Sequence, residues 1–268
     1  MLAVRLLPHH RMKWTTAVVS ALLLASSALA EDRPLRVPIL LYHRFDPAAA
    51  GLTTITPRDF EAHLNYLAEN GYRVIRLSQL VDFLQGHAPA PGPRSVVITV
   101  DDGHRSIYTE MLPLVKKANI PVTLFIYPSA ISHARYALTW AQLRELSASG
   151  QFDVQSHTYW HPNFTIERRR IGPQNYQEFV AFQLTQSKLT LQRMLGCPVD
   201  LLAWPFGIYD DDLIRMAVHA GYRAGFTIER RAVRESDSIM ALPRFLIEDS
   251  MDRRAFGHML EAAFAEKR

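Results

Sequence analysis

The sequence predicts an α/β protein, a distorted (β/α) barrel of about seven strands in a single domain. Short apolar runs rich in Val, Ile, Leu and Phe alternate with amphipathic stretches, as they do in parallel sheets covered on both faces. The chain has 268 residues and is 48% hydrophobic, which is enough for one sizeable core. About seven or eight strand–helix repeats in roughly 240 residues fit a closed barrel better than an open sheet.

Each predicted element begins and ends at residues that favour such boundaries. The strands are bounded by Gly, Pro or Asp, and the first helix has Thr56 as its N-cap, Pro57 in its first turn and Gly71 at its end. The predicted strands cover residues 37–43, 72–77, 95–100, 121–127, 152–157, 200–206, 223–228 and 242–247. The predicted helices cover residues 56–71, 108–120, 139–150, 174–195, 210–221 and 252–267.

The beginning of the chain has the pattern of an export signal. Basic residues without any acid precede an apolar run over residues 15–30, which ends in the small-x-small cleavage pattern at Ala28 and Ala30. The competing interpretation is an uncleaved membrane anchor, but the uncharged run is shorter than the ~20 residues that span a bilayer. We therefore expect a secreted or periplasmic protein with no stable membrane insertion. The predicted organisation is a signal peptide over 1–30, a short linker over 31–36 and one domain over 37–268.

The charge of the chain gives little support for a nucleic-acid partner. Removal of residues 1–30 lowers the formal net charge from +4 to +1, because Arg5, Arg11 and Lys13 leave with them. No aromatic ladder accompanies the local basic runs, so we interpret them as solvated loop faces and expect no nucleic-acid partner. These runs cover residues 167–172 and 229–234. With Cys197 as the single cysteine, an intrachain disulfide is excluded.

Two predicted strands end in residues that can carry chemistry, at the end of a barrel where active sites form. The strand 95–100 runs into Asp101 and Asp102, and Gly103 permits a turn that offers both carboxylates to one site. The alternative for this doublet is a solvated turn. His157 and His161 follow another strand at a spacing common among zinc ligands, although histidine pairs also occur as surface or core residues. Two histidines and one carboxylate leave open coordination for water.

Three motifs resemble the polysaccharide deacetylases of carbohydrate esterase family four, the group that contains the chitooligosaccharide deacetylase domain. They are "TVDDG" at 99–103, "SHTYWHP" at 156–162 and "WPFG" at 204–207, within a resemblance over roughly residues 37–247. The opening "PILLYHRF" and the late "AGFTI…LPRF" look most like the branch that deacetylates poly-β-1,6-N-acetylglucosamine in biofilm matrices.

The resemblance implies a role for each matching residue. Asp102, His157 and His161 would hold a divalent metal, with zinc first and iron, cobalt or nickel as alternatives. Asp101 would be the base that takes a proton from the attacking water. The backbone N–H of Phe206 would help to hold the oxyanion of the acetamide, with acetate and a free amine as products.

The chain also departs from the family pattern. Ala203 stands where the third motif commonly has an Arg, and Arg244 is our candidate substitute, with a surface or salt-bridging Arg as the alternative. No late Leu-x-His motif supplies a general acid, so His43 and His104 are candidates, each with a packing or substrate-contact role as the alternative. Trp204 is a candidate for stacking on a sugar, although a buried barrel aromatic is the default for such a residue.

These observations predict an exported, metal-dependent deacetylase of an N-acetylated polysaccharide such as poly-β-1,6-N-acetylglucosamine. The enzyme alternatives act on peptidoglycan, chitin oligomers or O-acetyl xylan. A carbohydrate-binding protein with a degenerate site is the alternative from another class. The missing Arg and His motifs favour that alternative, whereas the complete Asp-Asp and His-x₃-His set opposes it.

Overall fold

The computed structural model describes residues 35–48 and 51–265. Leu35–Arg268 forms one compact unit. The predicted signal peptide and most of the predicted linker lie outside the described residues. None of the helices that are described combines the length and the hydropathy needed to cross a membrane.

A sheet of eight parallel strands forms the centre of the unit and confirms the predicted barrel. The described residues form ten strands, of which eight belong to this sheet: β1 (Ile39–Tyr42), β2 (Arg44–Phe45), β3 (Thr54–Ile55), β4 (Arg73–Val74), β5 (Ser95–Asp101), β6 (Val122–Ile126), β7 (Phe152–Ser156), β8 (Leu201–Ala203), β9 (Ala224–Phe226) and β10 (Phe245–Leu246). Seven of them follow the order β10-β1-β5-β6-β7-β8-β9, and β4 pairs with the start of β5. The short strands β2 and β3 form a separate parallel pair.

Helices lie between the strands, and every predicted helix is present. They are α1 (Pro57–Glu69), α2 (Leu77–Leu84), α3 (Leu112–Ala118), α4 (Trp140–Ala148), α5 (Phe164–Ile171), α6 (Pro173–Leu195), α7 (Asp211–His219) and α8 (Arg253–Ala265). A π-helical turn, Ile107–Met111, leads into α3, and a 3₁₀ turn, Pro205–Gly207, follows β8. Thr56 caps α1 as predicted, because its side chain accepts a hydrogen bond from the Asp59 N–H.

Two helices were not predicted from the sequence. Helix α2 begins after Arg76, whose side chain makes no capping hydrogen bond, so its start carries no sequence signal. Helix α5 includes most of the basic run 167–172, which we had interpreted as a loop face. The Asn163 side chain caps α5 by accepting a hydrogen bond from the Ile166 N–H, and this cap stabilises a helix where a loop was predicted.

A segment after β9 closes the barrel. The Leu242 N–H donates to the Gly225 carbonyl and the Leu242 carbonyl accepts from the Thr227 N–H, both at 2.8 Å. A few residues later the segment pairs as β10 with β1, where Phe245 lies opposite Leu40. Arg244 lies between these two pairings and is fully buried. Barrel closure therefore carries a cationic side chain into the interior.

One face of β5 changes from apolar to polar along its length. Alternation along a strand puts Val97, Thr99 and Asp101 on the same face. Val97 belongs to a buried apolar cluster with Phe125 and Phe226, whereas Thr99 and Asp101 are buried polar residues. The carboxyl end of β5 therefore supplies polar groups next to an apolar part of the barrel interior.

Away from this region, His63 of α1 is a fully buried titratable residue. Its Nε2 lies 2.8 Å from the Met251 carbonyl oxygen, its Nδ1 lies 3.1 Å from the Tyr42 hydroxyl, and its ring stacks on Phe256 at 4.1 Å. Burial lowers the pKa of His63 to about 4, although the Met251 hydrogen bond and the nearby acids Asp59 and Asp252 act in the opposite direction. His63 is therefore neutral in the folded protein at neutral pH.

We expect this histidine to make the folded state less stable as the pH falls. The unfolded chain binds a proton near pH 6.5, whereas the folded protein resists protonation down to about pH 4. Stability is thus complete above pH 6.5 and decreases below it, by about 2 kcal/mol at pH 5 from this residue alone. Urea unfolding at pH 5 and pH 7.5 should show a smaller pH difference for His63→Gln than for the unchanged protein. An equal difference in both proteins would contradict this assignment.

Candidate active site

The register of the parallel strands collects functional side chains at one rim of the barrel. Tyr42 lies opposite Val100, so His43 follows at the level of Asp101. Ile126 lies opposite Ser156, so the residues directly after β6 and β7, Tyr127 and His157, also reach this rim. The carboxyl ends of parallel strands meet at the same end of a barrel, which is where active sites of such folds lie.

Asp101 and Arg244 form a bidentate ion pair inside the barrel. Arg244 Nη1 donates to Asp101 Oδ1 at 2.8 Å, and Nη2 donates to Oδ2 at 2.7 Å. Arg244 Nε donates to the Thr227 carbonyl oxygen at 2.9 Å, and the guanidinium lies 5.3 Å from the centre of the Phe125 ring. Burial alone would raise the pKa of Asp101, but attraction to Arg244 lowers it to about 2. Asp101 is therefore ionised and held in one orientation.

Asp102 lies beside the two histidines. The Nε2 atoms of His157 and His161 each lie 3.7 Å from Asp102 Oδ1, and one ligand atom from each of the three residues can be chosen within 4.8 Å of the others. Burial lowers the pKa of His157 to about 3 and also lowers the pKa of His161, so both rings are neutral and neither forms an ion pair. Burial raises the pKa of Asp102 to about 6, and the Asp101 carboxylate acts in the same direction.

These residues fit a divalent cation. His157 Nδ1 donates to the Ala203 carbonyl oxygen at 2.8 Å, so its proton lies there and Nε2 presents a lone pair toward Asp102. Such a set of ligand atoms, one from each of Asp102, His157 and His161, can hold a cation between them. Ligand atoms around a tetrahedral zinc lie about 3.4 Å apart, which is close to the observed 3.7 Å.

Backbone strain is concentrated at this site. Positive φ angles occur at Asp102 (74°), Thr158 (63°), His161 (65°) and Phe206 (57°), four of the seven non-glycine positions with positive φ in the described chain. Such angles are uncommon for residues with a Cβ and cluster at functional sites. At Asp102 the unusual turn explains how two successive acids reach one site although strand neighbours point to opposite faces.

A buried hydroxyl network supports the loop that carries the histidines. The Tyr222 hydroxyl lies 2.8 Å from Ser156 Oγ, which also lies 2.8 Å from Ser187 Oγ of α6. Ser156 Oγ accepts from the Thr158 N–H at 3.2 Å, and Thr158 Oγ1 accepts from the His161 N–H at 3.2 Å. A continuous chain of hydrogen bonds thus links Tyr222 and α6 to the strained backbone of His161.

The remaining predicted residues have different positions. Trp204 is fully buried and its Nε1 donates to the Met240 carbonyl oxygen at 2.9 Å, so the prediction that it stacks on a sugar is wrong. Phe206 is 54% exposed, and its ring centre lies 4.6 Å from that of His161. His43 lies close enough to Asp101 and Asp102 to lower the pKa of both.

His104 does not join the Asp/His set. Its Nδ1 lies 2.8 Å from Ser106 Oγ, and its ring stacks on Tyr136 with centres 6.2 Å apart. Tyr127, which was not predicted as a site residue, also lies beside the set, with its ring centre 5.5 Å from that of His161. Tyr127 directly follows β6, so the rule that selected the other strand ends could have found it. Leu41-Tyr42-His43 has the Leu-x-His pattern that we sought late in the chain, here at the end of β1.

Comparison with known proteins gives a consistent result. A family model described as polysaccharide deacetylase matches residues 88–225. The chain is 27% identical to YxkH of Bacillus subtilis (strain 168), a protein named for this family, over 88% of this chain and 80% of the relative. It is 24% identical to the poly-β-1,6-N-acetyl-D-glucosamine N-deacetylase of Staphylococcus aureus (strain MRSA252), over 78% of this chain and 71% of the relative.

Solved structures share the fold. The deacetylase PplD of Streptococcus pyogenes superposes with a TM-score of 0.75 at 22% identity, over 85% of this chain and 99% of that chain. IcaB of Ammonifex degensii superposes with a TM-score of 0.72 at 25% identity, over 86% of this chain and 97% of that chain. The (β/α) architecture is thus common to proteins that share about a quarter of their residues with this one.

We expect Tyr222→Phe to weaken cation binding at Asp102, His157 and His161. Loss of the hydroxyl removes a partner of Ser156 and loosens the loop, and changes in such supporting contacts lower metal affinity by about tenfold or more. A zinc titration against a competing chelator measures the affinity. Tyr42→Phe is the matched control, because it removes a buried tyrosine hydroxyl bonded to His63 instead. Equal affinities in the two variants would contradict a positioning role for Tyr222.

Proposed function

The chain belongs to the polysaccharide deacetylase family, and we propose that it is an exported enzyme that removes N-acetyl groups from a glycan of the poly-β-1,6-N-acetylglucosamine type. One observation carries this proposal. The ionised, Arg-bound carboxylate of Asp101 lies beside the Asp102–His157–His161 set at one barrel rim. This juxtaposition supplies both a base and a place for a Lewis acid, the two requirements for amide hydrolysis by such enzymes.

The choice of glycan is supported by relatives. The S. aureus relative is named as a poly-β-1,6-N-acetyl-D-glucosamine N-deacetylase, and its identity to this chain is 24%. The sequence patterns at the beginning and end of the barrel point to the same branch of the family. Peptidoglycan, chitin oligomers and O-acetyl xylan carry acetyl groups on sugars in other linkages, and they form the comparison set for the assay below.

Asp102, His157 and His161 would hold the divalent cation. Two imidazoles and one carboxylate suit zinc first, with iron, cobalt or nickel as alternatives. When bound, such a cation lowers the pKa of a water molecule and polarises the acetamide carbonyl. The Ala203 carbonyl orients His157 by accepting the hydrogen bond of its Nδ1–H, so Nε2 would be the ligating atom.

The protein groups around the acetamide then have separate tasks. Asp101 takes a proton from the attacking water, while Arg244 keeps its carboxylate in place through both oxygens. The Phe206 N–H donates to the oxygen that becomes negative as the carbonyl carbon turns tetrahedral. His43 donates a proton to the amine nitrogen as the carbon–nitrogen bond breaks. Acetate and a glucosamine unit are released.

Export is part of the proposal. It rests on the basic beginning of the chain, the apolar run and the Ala28-x-Ala30 pattern, all within residues that the structure does not describe. An extracellular or periplasmic location would give the enzyme access to a polysaccharide outside the cytoplasm.

We expect acetate release to be fastest from poly-β-1,6-N-acetylglucosamine and to stop when a chelator removes the cation. Chitooligosaccharides, peptidoglycan and O-acetyl xylan serve as the comparison substrates in the same assay, and added zinc should restore activity. Equal or faster acetate release from one of these substrates would contradict the proposed glycan preference. Full activity after complete removal of bound metal would contradict the proposed chemistry.

Substitution of the two adjacent acids by asparagine, one at a time, should impair the enzyme in two different ways. Asp101→Asn cannot accept a proton, so it should still bind zinc but lose about 10²–10⁴-fold in rate. Asp102→Asn replaces an anionic ligand by a neutral one, so its zinc affinity should fall and excess zinc should restore part of the activity. Elemental analysis and activity across a zinc titration measure both effects. Thermal unfolding of each variant is the control for folding. Rescue of Asp101→Asn but not of Asp102→Asn would reverse the two roles.

A further inference from the structure

We infer that Tyr136 forms a sugar-binding subsite that stacks on the glycan unit next to the one being deacetylated. The inference rests on the proposed function, because the ligand is a neighbouring unit of the same glycan. It is motivated by a tyrosine that is exposed yet fixed in position, and that touches a residue at the edge of the candidate metal site.

Tyr136 is connected to the site through Tyr127. The two hydroxyl oxygens lie 2.5 Å apart, and the Tyr127 ring centre lies 5.5 Å from that of His161 and 6.5 Å from that of His157. Phe206 also makes an edge contact with His161, with the ring centres 4.6 Å apart. Two aromatic rings therefore contact His161, and Tyr136 adjoins one of them, Tyr127, through its hydroxyl group.

The loop that carries Tyr136 is anchored to the turn after β5. The Arg105 N–H donates to the Tyr136 carbonyl oxygen at 2.7 Å, and the Leu138 N–H donates to the Gly103 carbonyl oxygen at 2.9 Å. The His104 ring stacks behind Tyr136 with an angle of 8° between the ring planes. Tyr136 is nevertheless 43% exposed. A ring fixed in this way loses little conformational entropy when it binds a ligand.

The chemistry of this surface fits a pyranose. A β-linked pyranose with equatorial substituents presents an apolar face of C–H groups, which packs on an aromatic ring, and hydroxyl groups at its edge. Tyrosine combines an apolar ring with a polar tip, so it can match both features. The paired hydroxyls of Tyr127 and Tyr136 offer hydrogen-bond donors and acceptors at the sugar edge.

The charge nearby favours an acetylated unit over a deacetylated one. Arg105 lies against the loop that carries Tyr136, because its backbone N–H donates to the Tyr136 carbonyl oxygen at 2.7 Å. Arg105 also reaches the Arg135 carbonyl oxygen, which places a further arginine beside Tyr136 in the chain. A glucosamine unit carries an ammonium group, which this basic surface repels, whereas N-acetylglucosamine is neutral. We therefore expect the subsite to select a neutral N-acetylated neighbour.

The test compares β-1,6-linked N-acetylglucosamine tetramer with the monomer. In the unchanged enzyme kcat/KM should be higher for the tetramer, and Tyr136→Ala should lower the tetramer-to-monomer ratio about tenfold, mainly through KM. Tyr136→Phe keeps the ring and should lose clearly less than Tyr136→Ala. Phe182→Ala, which removes an exposed ring on α6, is the matched control and should leave the ratio as it is.

Two further outcomes decide the inference. A tetramer with glucosamine at the units flanking one N-acetylglucosamine should be a poorer substrate than the acetylated tetramer, and Arg105→Gln with Arg135→Gln should reduce the difference. Tyr136→Ala with an unchanged ratio, or Tyr136→Phe with a loss as large as that of Tyr136→Ala, would overturn the stacking role. Absence of acetate release from every substrate in the unchanged enzyme would instead reject the proposed function. Thermal unfolding of each variant separates loss of binding from loss of folding.

Discussion

The buried ion pair between Arg244 and Asp101 is the interaction on which the candidate site depends. Removal of one partner from such a pair typically costs about 3–5 kcal/mol, because the other charge remains buried without compensation. Arg244 lies on the segment that joins β9 to β10, and Asp101 ends β5, so the pair connects barrel closure with the reactive rim. A change that disturbs barrel closure would therefore also displace the carboxylate of Asp101, the candidate base.

Two adjacent carboxylates have opposite electrostatic environments. Asp101 has a guanidinium bound to both oxygens, and its pKa is lowered to about 2. Asp102 lacks that contact, and burial raises its pKa to about 6. A pair of acids whose environments separate their pKa values is a common basis for a division of roles. The two carboxylates also point in different directions. The positive φ at Asp102 turns its carboxylate toward the histidines, whereas the carboxylate of Asp101 faces Arg244.

The family relationship and the local structure support the functional proposal at different levels. The family match assigns a polysaccharide deacetylase, and structures at 22–25% identity share its barrel. The arrangement of aromatic residues concerns how a long substrate would lie across the rim. Tyr127 and Phe206 both contact His161, and Tyr136 adjoins Tyr127 through the hydroxyl groups of the two residues. A site bordered in this way suits a chain of sugars better than an isolated acetamide.

Local patterns in the sequence were sufficient for the elements and for much of the site. Short apolar runs and boundary residues predicted the barrel strands, because such runs and the residues that end them act over a few positions. The Asp101-Asp102 doublet and the His-x₃-His spacing were visible because each lies within one strand end. Helix α2 was missed because its start lacks a side-chain cap.

Only the tertiary structure decided which distant groups meet. Arg244 and Asp101 are 143 positions apart, and their contact depends on barrel closure. The same closure buries Trp204 against Met240, against the prediction of a sugar contact, and the register of β1 with β5 brings His43 to the level of Asp101. The position of Tyr136 beside Tyr127 likewise depends on the tertiary contacts that anchor its loop. Local periodicity specifies what each segment becomes, whereas strand order and register specify which side chains share a site.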